Sequence, residues 1–228
     1  MTNNLLILTF GYNCVIKEYI RTYLGLNLFN TPFDWNIIYD TSFIKILLEN
    51  NFENFITDDL FQSPEILKNL GYNEKNQITN HNKKYNFSFM HEDISNKNGV
   101  CYYDTEKIIN KYKRRIERLY TTINNSDKII LLYNEKNVSY SYPYNFCFEN
   151  NEIYIDNEKT KKNFDEFIDF LKNKYPNKEF EYFIINSEES FKICAQNLLN
   201  KLYLSEYILI NGNKTNRTDE LFKEFNKN

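Results

Sequence analysis

Lys128-Ile129-Ile130-Leu131-Leu132-Tyr133 is a short, nearly unbroken apolar run and reads as a β-strand. The segments after it complete a pattern that decides the fold. Lys162 to Lys174 has the spacing of a helix, Phe180 to Ile185 reads as a strand, Ser187 to Leu204 as a helix and Tyr207 to Ile210 as a last strand. Strands alternating with helices pair in parallel and carry the helices on the sheet faces. Upstream, Thr105 to Asn124 has a helical period that puts Ile109, Tyr112, Ile116, Leu119 and Ile123 on one stripe. At the start of the chain, Leu5 to Phe10 reads as a strand and Val15 to Leu24 as a helix, with Gly25 suited to the position that ends it. The expectation is a single three-layer α/β domain over residues 1–211, with a mostly parallel central sheet flanked by helices. Residues 212–228 read as a polar tail.

Between these elements the pattern is weaker. Asn30 to Trp35 reads as a loop and Ser42 to Leu48 as a helix. Asn51 to Asn80 is irregular, with helical hints near Pro64 to Leu70, and Asn73 to Lys84 reads as a polar loop. Tyr85 to His91 alternates with period two, as a half-buried strand does, which puts His91 on the face of Tyr85, Phe87 and Phe89. A polar, hairpin-like region containing Cys147 extends to Asn157.

Composition excludes several classes. With 228 residues, 42% of them apolar and 26% charged, the chain can bury a full core and fits neither disordered nor membrane proteins. A formal charge of -3 and a pI near 5.6 give no footprint for a phosphate backbone, so no nucleic acid is expected. The first residues lack a charged leader, and the apolar run after them is too short for a membrane span; the expected location is cytosolic. Tyr and Phe, at 19 each, accompany abundant Asn, Lys and Ile in the manner of AT-rich coding, so they are not read as a ligand-stacking signal. The cysteines Cys14, Cys101, Cys147 and Cys194 form no C-x-x-C pair, and with only two histidines no structural zinc is expected. Glycine-loop, H-E-x-x-H and G-x-S-x-G motifs are absent, and no cofactor is expected.

Chemistry concentrates at Gly11-Tyr12-Asn13-Cys14. With Asn13 as N-cap, Cys14 takes the first helical position, where free N–H groups and the positive end of the helix dipole favour a thiolate. The competing reading is a small core residue. A thiol nucleophile needs a base, an orienting group and oxyanion donors. His81 reads as a solvated loop residue. His91, next to Glu92 and Asp93, is the candidate base or a hydrogen-bonded core histidine. Asp34, between Phe33 and Trp35 in a Pro-Phe-Asp-Trp turn, either orients His91, caps the next helix or braces the loop. Glu92 is the competing orienter, and the amide of Asn13 could serve an oxyanion. On the basic helix, Lys107, Lys111, Arg114 and Arg118 share a stripe expected to face water. Arg115 lies nearer the apolar edge and is the candidate clamp for a carboxylate or phosphate.

Four blocks then resemble a known family in order and approximate spacing: Phe10-Gly11-Tyr12-Asn13-Cys14, Thr31-Pro32-Phe33-Asp34-Trp35, Phe89-Met90-His91-Glu92, and Lys111-Tyr112-Lys113-Arg114-Arg115-Ile116-Glu117-Arg118. They resemble a domain-of-unknown-function family described as papain-like cysteine peptidases, over residues 5 to about 135. The resemblance implies Cys14 as nucleophile and His91 as base, in the Cys-before-His order of papain-like enzymes, with the cysteine on a helix and the histidine on an antiparallel sheet. It implies a thiol hydrolase and no particular substrate. Where relatives tend to have His-Asp, this chain has His91-Glu92-Asp93.

The leading expectation is a cysteine-dependent hydrolase or acyl-transfer enzyme acting on a peptide or small molecule. Cys14, His91 and Asp34 or Glu92 carry the catalysis, and Gly11, Asn13, Trp35 and Arg115 are the substrate contacts. The alternatives are a non-covalent transferase using the crevice beyond the carboxyl ends of the strands, and a binding module in which Cys14 and His91 are core residues.

Overall fold

A computed structural model describes residues 4–11, 15–26, 28–34, 36–38, 41–57, 60–61, 80–82, 84–85, 87–89, 92, 94–97, 100–134, 157–204, 207–210 and 213–215. Its main sheet has five strands: β1 (Asn4–Gly11), β7 (Lys128–Asn134), β8 (Glu179–Ile185), β9 (Tyr207–Ile210) and β10 (Asn213–Thr215), in the order β10-β9-β1-β7-β8. β1 pairs in parallel with both β7 and β9, β7 pairs in parallel with β8, and only β10 runs antiparallel, against β9. The fold is therefore α/β with a mostly parallel central sheet. β10 adds a strand to that sheet from residues whose composition reads as a tail.

All eight residues of β1 are buried, as a central parallel strand covered on both faces requires. Alternate side chains separate the two cores. Leu6, Leu8 and Phe10, with Ile129, Leu131 and Tyr133 of β7, face one core; Leu5 and Ile7, with Ile130 and Leu132, face the other. The first core is covered by α2 (Thr41–Glu49), α3 (Thr105–Asn125) and α4 (Asn157–Lys174), the second by α1 (Val15–Leu24) and α5 (Glu188–Leu204). Each buried Leu, Ile or Phe contributes about 1.5–3 kcal/mol, so the two cores hold the three layers together.

Local chemistry sets the element ends. Gly25 adopts φ +61° after α1, which a side chain would resist. Asp104 caps α3 by accepting from the Lys107 N–H at 3.0 Å. Ser187 and Ser190 exchange hydrogen bonds at the start of α5, each hydroxyl accepting at 3.1 Å from the other's backbone N–H. At the amino edge of the sheet Asp127 ties strands together: its carboxylate accepts from the Asn4 N–H at 2.8 Å and its carbonyl from the Glu179 N–H at 2.9 Å.

Two smaller sheets are also formed among the described residues. One has the order β2-β4-β3, from Asn36–Ile38, Phe87–Phe89 and Asn80–Asn82, all antiparallel. The other is the hairpin of β5 (Ile94–Lys97) and β6 (Val100–Tyr103). Here the sequence reading needs correction. His81, expected in a solvated loop, lies in β3 opposite Ser88 because its neighbour Asn82 turns inward, donating to the Phe55 carbonyl at 3.0 Å and accepting from the Lys84 and Tyr85 N–H groups. The strand expected over Tyr85 to His91 starts later, with Tyr85 in the turn before β4, and Met90 and His91 lie outside the described residues. Phe87 and Phe89 are both buried against Phe55, with ring centroids 4.8 and 5.4 Å away. In α3 the buried stripe is Ile108, Tyr112, Leu119, Thr122 and Ile123, one residue off the expected Ile109.

At Gly11 the backbone of β1 leaves no room for a side chain against β7. Its φ is +128°, and a Cβ there would lie 2.3 Å from the Asn134 carbonyl oxygen and 2.6 Å from the Asn134 nitrogen. Gly11→Ala is expected to destabilise the protein by about 2–4 kcal/mol through backbone strain and forced separation of the two strands. A urea unfolding curve checks it, and a midpoint equal to wild type would show that the approach is relaxed.

Candidate functional site

The described part of the site is built where β1 ends. Thr31-Pro32-Phe33-Asp34 forms a turn in which the Asp34 N–H donates to the Thr31 carbonyl at 3.4 Å, with Pro32 fixing the first central residue. The turn folds the Asp34 carboxylate back into the protein. Oδ1 accepts from the Thr9 hydroxyl of β1 at 2.5 Å; Oδ2 accepts from the Thr31 N–H at 2.5 Å and the Thr31 hydroxyl at 2.8 Å. Lys17 of α1 places its ammonium 3.0 Å from Oδ2, and both side chains are buried, at 9% and 2% exposure. Lys17 also donates to the Phe29 carbonyl at 2.8 Å and to Asn30 Oδ1 at 2.6 Å, which uses all its N–H groups. Burial pushes the Lys17 ammonium below its ordinary pKa; Asp34 opposes that shift, and Arg115 and Arg118 add to it. These contacts give Asp34 the part of a brace joining β1, α1 and the loop.

A second buried carboxylate lies beside the first. Glu92 Oε1 accepts from the Tyr112 hydroxyl at 2.8 Å, and Oε2 pairs with Lys111. The same Tyr112 oxygen accepts from Asn36 Nδ2 at 3.0 Å, and that amide also faces the Pro32 and Asp34 carbonyls at 3.0 and 3.2 Å. Burial, then the charge of Glu92, raises the Tyr112 phenol well above its ordinary pKa, so Tyr112 stays a donor. Asn36 thus bridges the Glu92 network to the Asp34 turn. The Arg115 guanidinium lies over the Tyr112 ring, 5.1 Å from its centroid, and that of Arg118 over the Phe29 ring at 6.0 Å.

Of the residues singled out in the sequence, Gly11, Asp34, Glu92 and Arg115 lie within the described residues, and Asn13, Cys14, Trp35 and His91 lie outside them. Gly11 is buried in β1 against the backbone of Asn134, a packing reason for glycine. Lys111, expected to face water, instead pairs with buried Glu92, its ammonium 5.4 Å from the centroid of the Tyr112 ring. Sequence reasoning missed Thr9, Lys17, Thr31, Asn36 and Tyr112 as parts of this network. Tyr112 carried a signal: a tyrosine on an apolar stripe brings a hydroxyl that must find a partner when buried.

Cys194 lies in the second core, 3% exposed, and burial pushes its thiol up to about 12. Among the described residues, no group of three His, Cys, Asp or Glu side chains could hold a metal ion, and no helix is long and apolar enough to cross a membrane. Compared with known proteins, the chain matches no family model, no curated protein and no solved structure. The resemblance to papain-like cysteine peptidases rests on its four sequence blocks alone.

This geometry has two measurable consequences. Asp34→Ala leaves the Lys17 ammonium buried without its counter-charge and is expected to cost about 3–5 kcal/mol, measured by denaturant unfolding; a loss under about 1 kcal/mol, the range of a surface pair, would show the brace to be dispensable. Cys194 should resist iodoacetamide at pH 8 in the native protein and react once unfolded. Between the ordinary value of 9.0 and about 12 the unfolded chain gives up this proton while the fold keeps it, so its contribution to stability falls as pH rises through that window.

Proposed function

We propose that this protein is a thiol-dependent hydrolase or acyl-transfer enzyme with Cys14 as nucleophile and His91 as its base, acting in the cytosol on a peptide or small molecule. The observation that carries the reading is the placement of α1. The central strand β1 ends at Gly11 and α1 begins at Val15, so by chain connectivity Cys14 is bonded to the first residue of a ten-residue helix at the carboxyl edge of a parallel sheet. A helix start supplies free N–H groups and a positive field, which favour a thiolate, and the carboxyl edge of an open α/β sheet is where ligands bind. On the other side of the pair, β4 belongs to an antiparallel sheet, and His91 follows its last residue, Phe89, by two positions.

In this mechanism the Cys14 thiolate attacks a carbonyl carbon, forming an acyl–sulfur bond. The protonated imidazole of His91 gives its proton to the leaving group. Water, deprotonated by the same imidazole, then cleaves the thioester and regenerates the thiol. Asn13 is the proposed oxyanion donor, and Trp35 and Gly11 the proposed walls of the substrate crevice. Asp34 or Glu92 would orient the imidazole through lone pairs that their other partners leave over.

One observation favours a second reading. Both described carboxylates are already engaged, Asp34 by Thr9, Thr31 and Lys17 and Glu92 by Tyr112 and Lys111. That suits a non-covalent transferase or ligand-binding domain at the same strand ends, with Cys14 and His91 structural.

The rate of Cys14 alkylation against pH, read by mass spectrometry in the native protein and in His91→Ala, separates the two. Thiol catalysis predicts modification at least about tenfold faster than for an unperturbed thiol of pKa near 8.5 when measured below pH 7, with the advantage lost in the variant. A slow Cys14, indifferent to His91, would sink that reading and leave the non-covalent one.

A further inference from the structure

Beyond the two carboxylates, the site carries cations that nothing in the described protein neutralises. Lys17 is matched to Asp34 and Lys111 to Glu92. Arg115 and Arg118 remain, three residues apart on α3 and therefore neighbours on its surface. Among the described residues, neither lies within ion-pair distance of a carboxylate. Each is anchored to the same small region. Arg118 sits over the ring of Phe29, whose carbonyl receives Lys17, and Arg115 over the ring of Tyr112, whose hydroxyl receives Asn36. Both guanidinium charges also act on the Lys17 ammonium. Two like charges held close together beside a buried third repel one another, and half-buried Arg115 has given up part of its water for an aromatic face.

We infer that Arg115 and Arg118, with the Phe29–Asp34 loop, form a binding site for a phosphate group, free or esterified, on a small molecule. The reason is charge and shape. Each guanidinium lies over an aromatic ring and donates to no acceptor among the described residues, which leaves paired N–H donors of the kind that grip phosphate oxygens bidentately. The excess of two positive charges among the described residues matches a phosphate monoester, which carries about −1.5 to −2 at neutral pH; a single carboxylate neutralises only half of it. Lys17 has no N–H left for a ligand and contributes only its field. The inference deepens the non-covalent ligand-binding reading of the strand ends by naming the ligand's anionic group, and it rests on that reading, not on thiol chemistry at Cys14.

Isothermal titration of the full chain with inorganic phosphate and with phenyl phosphate, at low ionic strength, tests it. Saturable binding is expected at millimolar ligand or below, weakening as salt is added; whichever of the two binds tighter tells free phosphate from an ester. Arg115→Gln with Arg118→Gln should weaken binding by about tenfold or more, since two charge-assisted forks are lost. Arg118→Ala alone, at an exposed position, should weaken it without changing the thermal melt. Benzoate should bind less tightly than phenyl phosphate. Absence of saturable heat, equal affinity in the double variant, or equal affinity for benzoate would overturn the assignment. Cys14→Ser should bind phosphate as wild type does, so failure of the thiol mechanism and failure of this site are read separately.

Discussion

The buried ion pair between Lys17 and Asp34 is the constraint on which the site end of this molecule depends. Its members come from α1 on one side of the sheet and from the Thr31–Asp34 turn, and the Thr9 hydroxyl adds β1 itself. Removing two charges from water costs several kcal/mol per ion, which only close geometry and further hydrogen bonds offset. Here the remaining acceptors and donors are supplied by Thr31, Phe29 and Asn30. Stability is therefore a weaker explanation of the pair than position. A polar cluster that must be fully satisfied permits one arrangement of helix, loop and strand, where apolar packing alone tolerates several.

The same principle extends outward through Asn36. An aromatic core of Phe55, Phe87, Phe89 and Tyr112 packs tightly, with Phe89 and Tyr112 at 5.2 Å edge to face. Such a core accepts a phenol only if its hydroxyl finds partners. Glu92 and Asn36 provide them, and Lys111 compensates the carboxylate. The small antiparallel sheet is thereby tied to α3 and to the Asp34 turn by one connected network. Arg115 and Arg118 lie at its margin as the charges without a described counterpart, which is why the edge of the network, rather than its centre, is the place proposed for a ligand.

The long elements were legible because their periodicity is strong. β1, β7 and β8 are dense apolar runs, α3 repeats its apolar stripe over 21 residues, and Gly25 marks the end of α1. Three of the shortest strands were not. β2, β3 and β10 have three residues each, rich in Asn, and pair because a neighbouring edge offers hydrogen bonds, a cause that lies in another part of the chain. Ile108 displaced Ile109 from the core for a similar reason: the helix rotates to bury Tyr112 and Thr122. Within the site, the Asp34 turn could be read from Pro32 and the flanking aromatics. Its partners could not, since Thr9, Lys17 and Thr31 look in sequence like an ordinary strand residue, a helix-surface lysine and a loop threonine.

By itself, the sequence determined the α/β class, the parallel alternation of strand and helix in its second half, and the position of Cys14 between the first strand and the first helix. These depend on hydrophobic period and on the chemistry of neighbours along the chain, which are local. Only the tertiary structure decided that Gly11 is held against Asn134, that Asp34 is spent on Lys17, Thr9 and Thr31, and that Lys111 turns to Glu92 while Arg115 and Arg118 have no carboxylate partner among the described residues. Those outcomes depend on which charges and hydrogen-bonding groups meet after the layers pack, and burial then makes every unpaired group costly enough to select its partner.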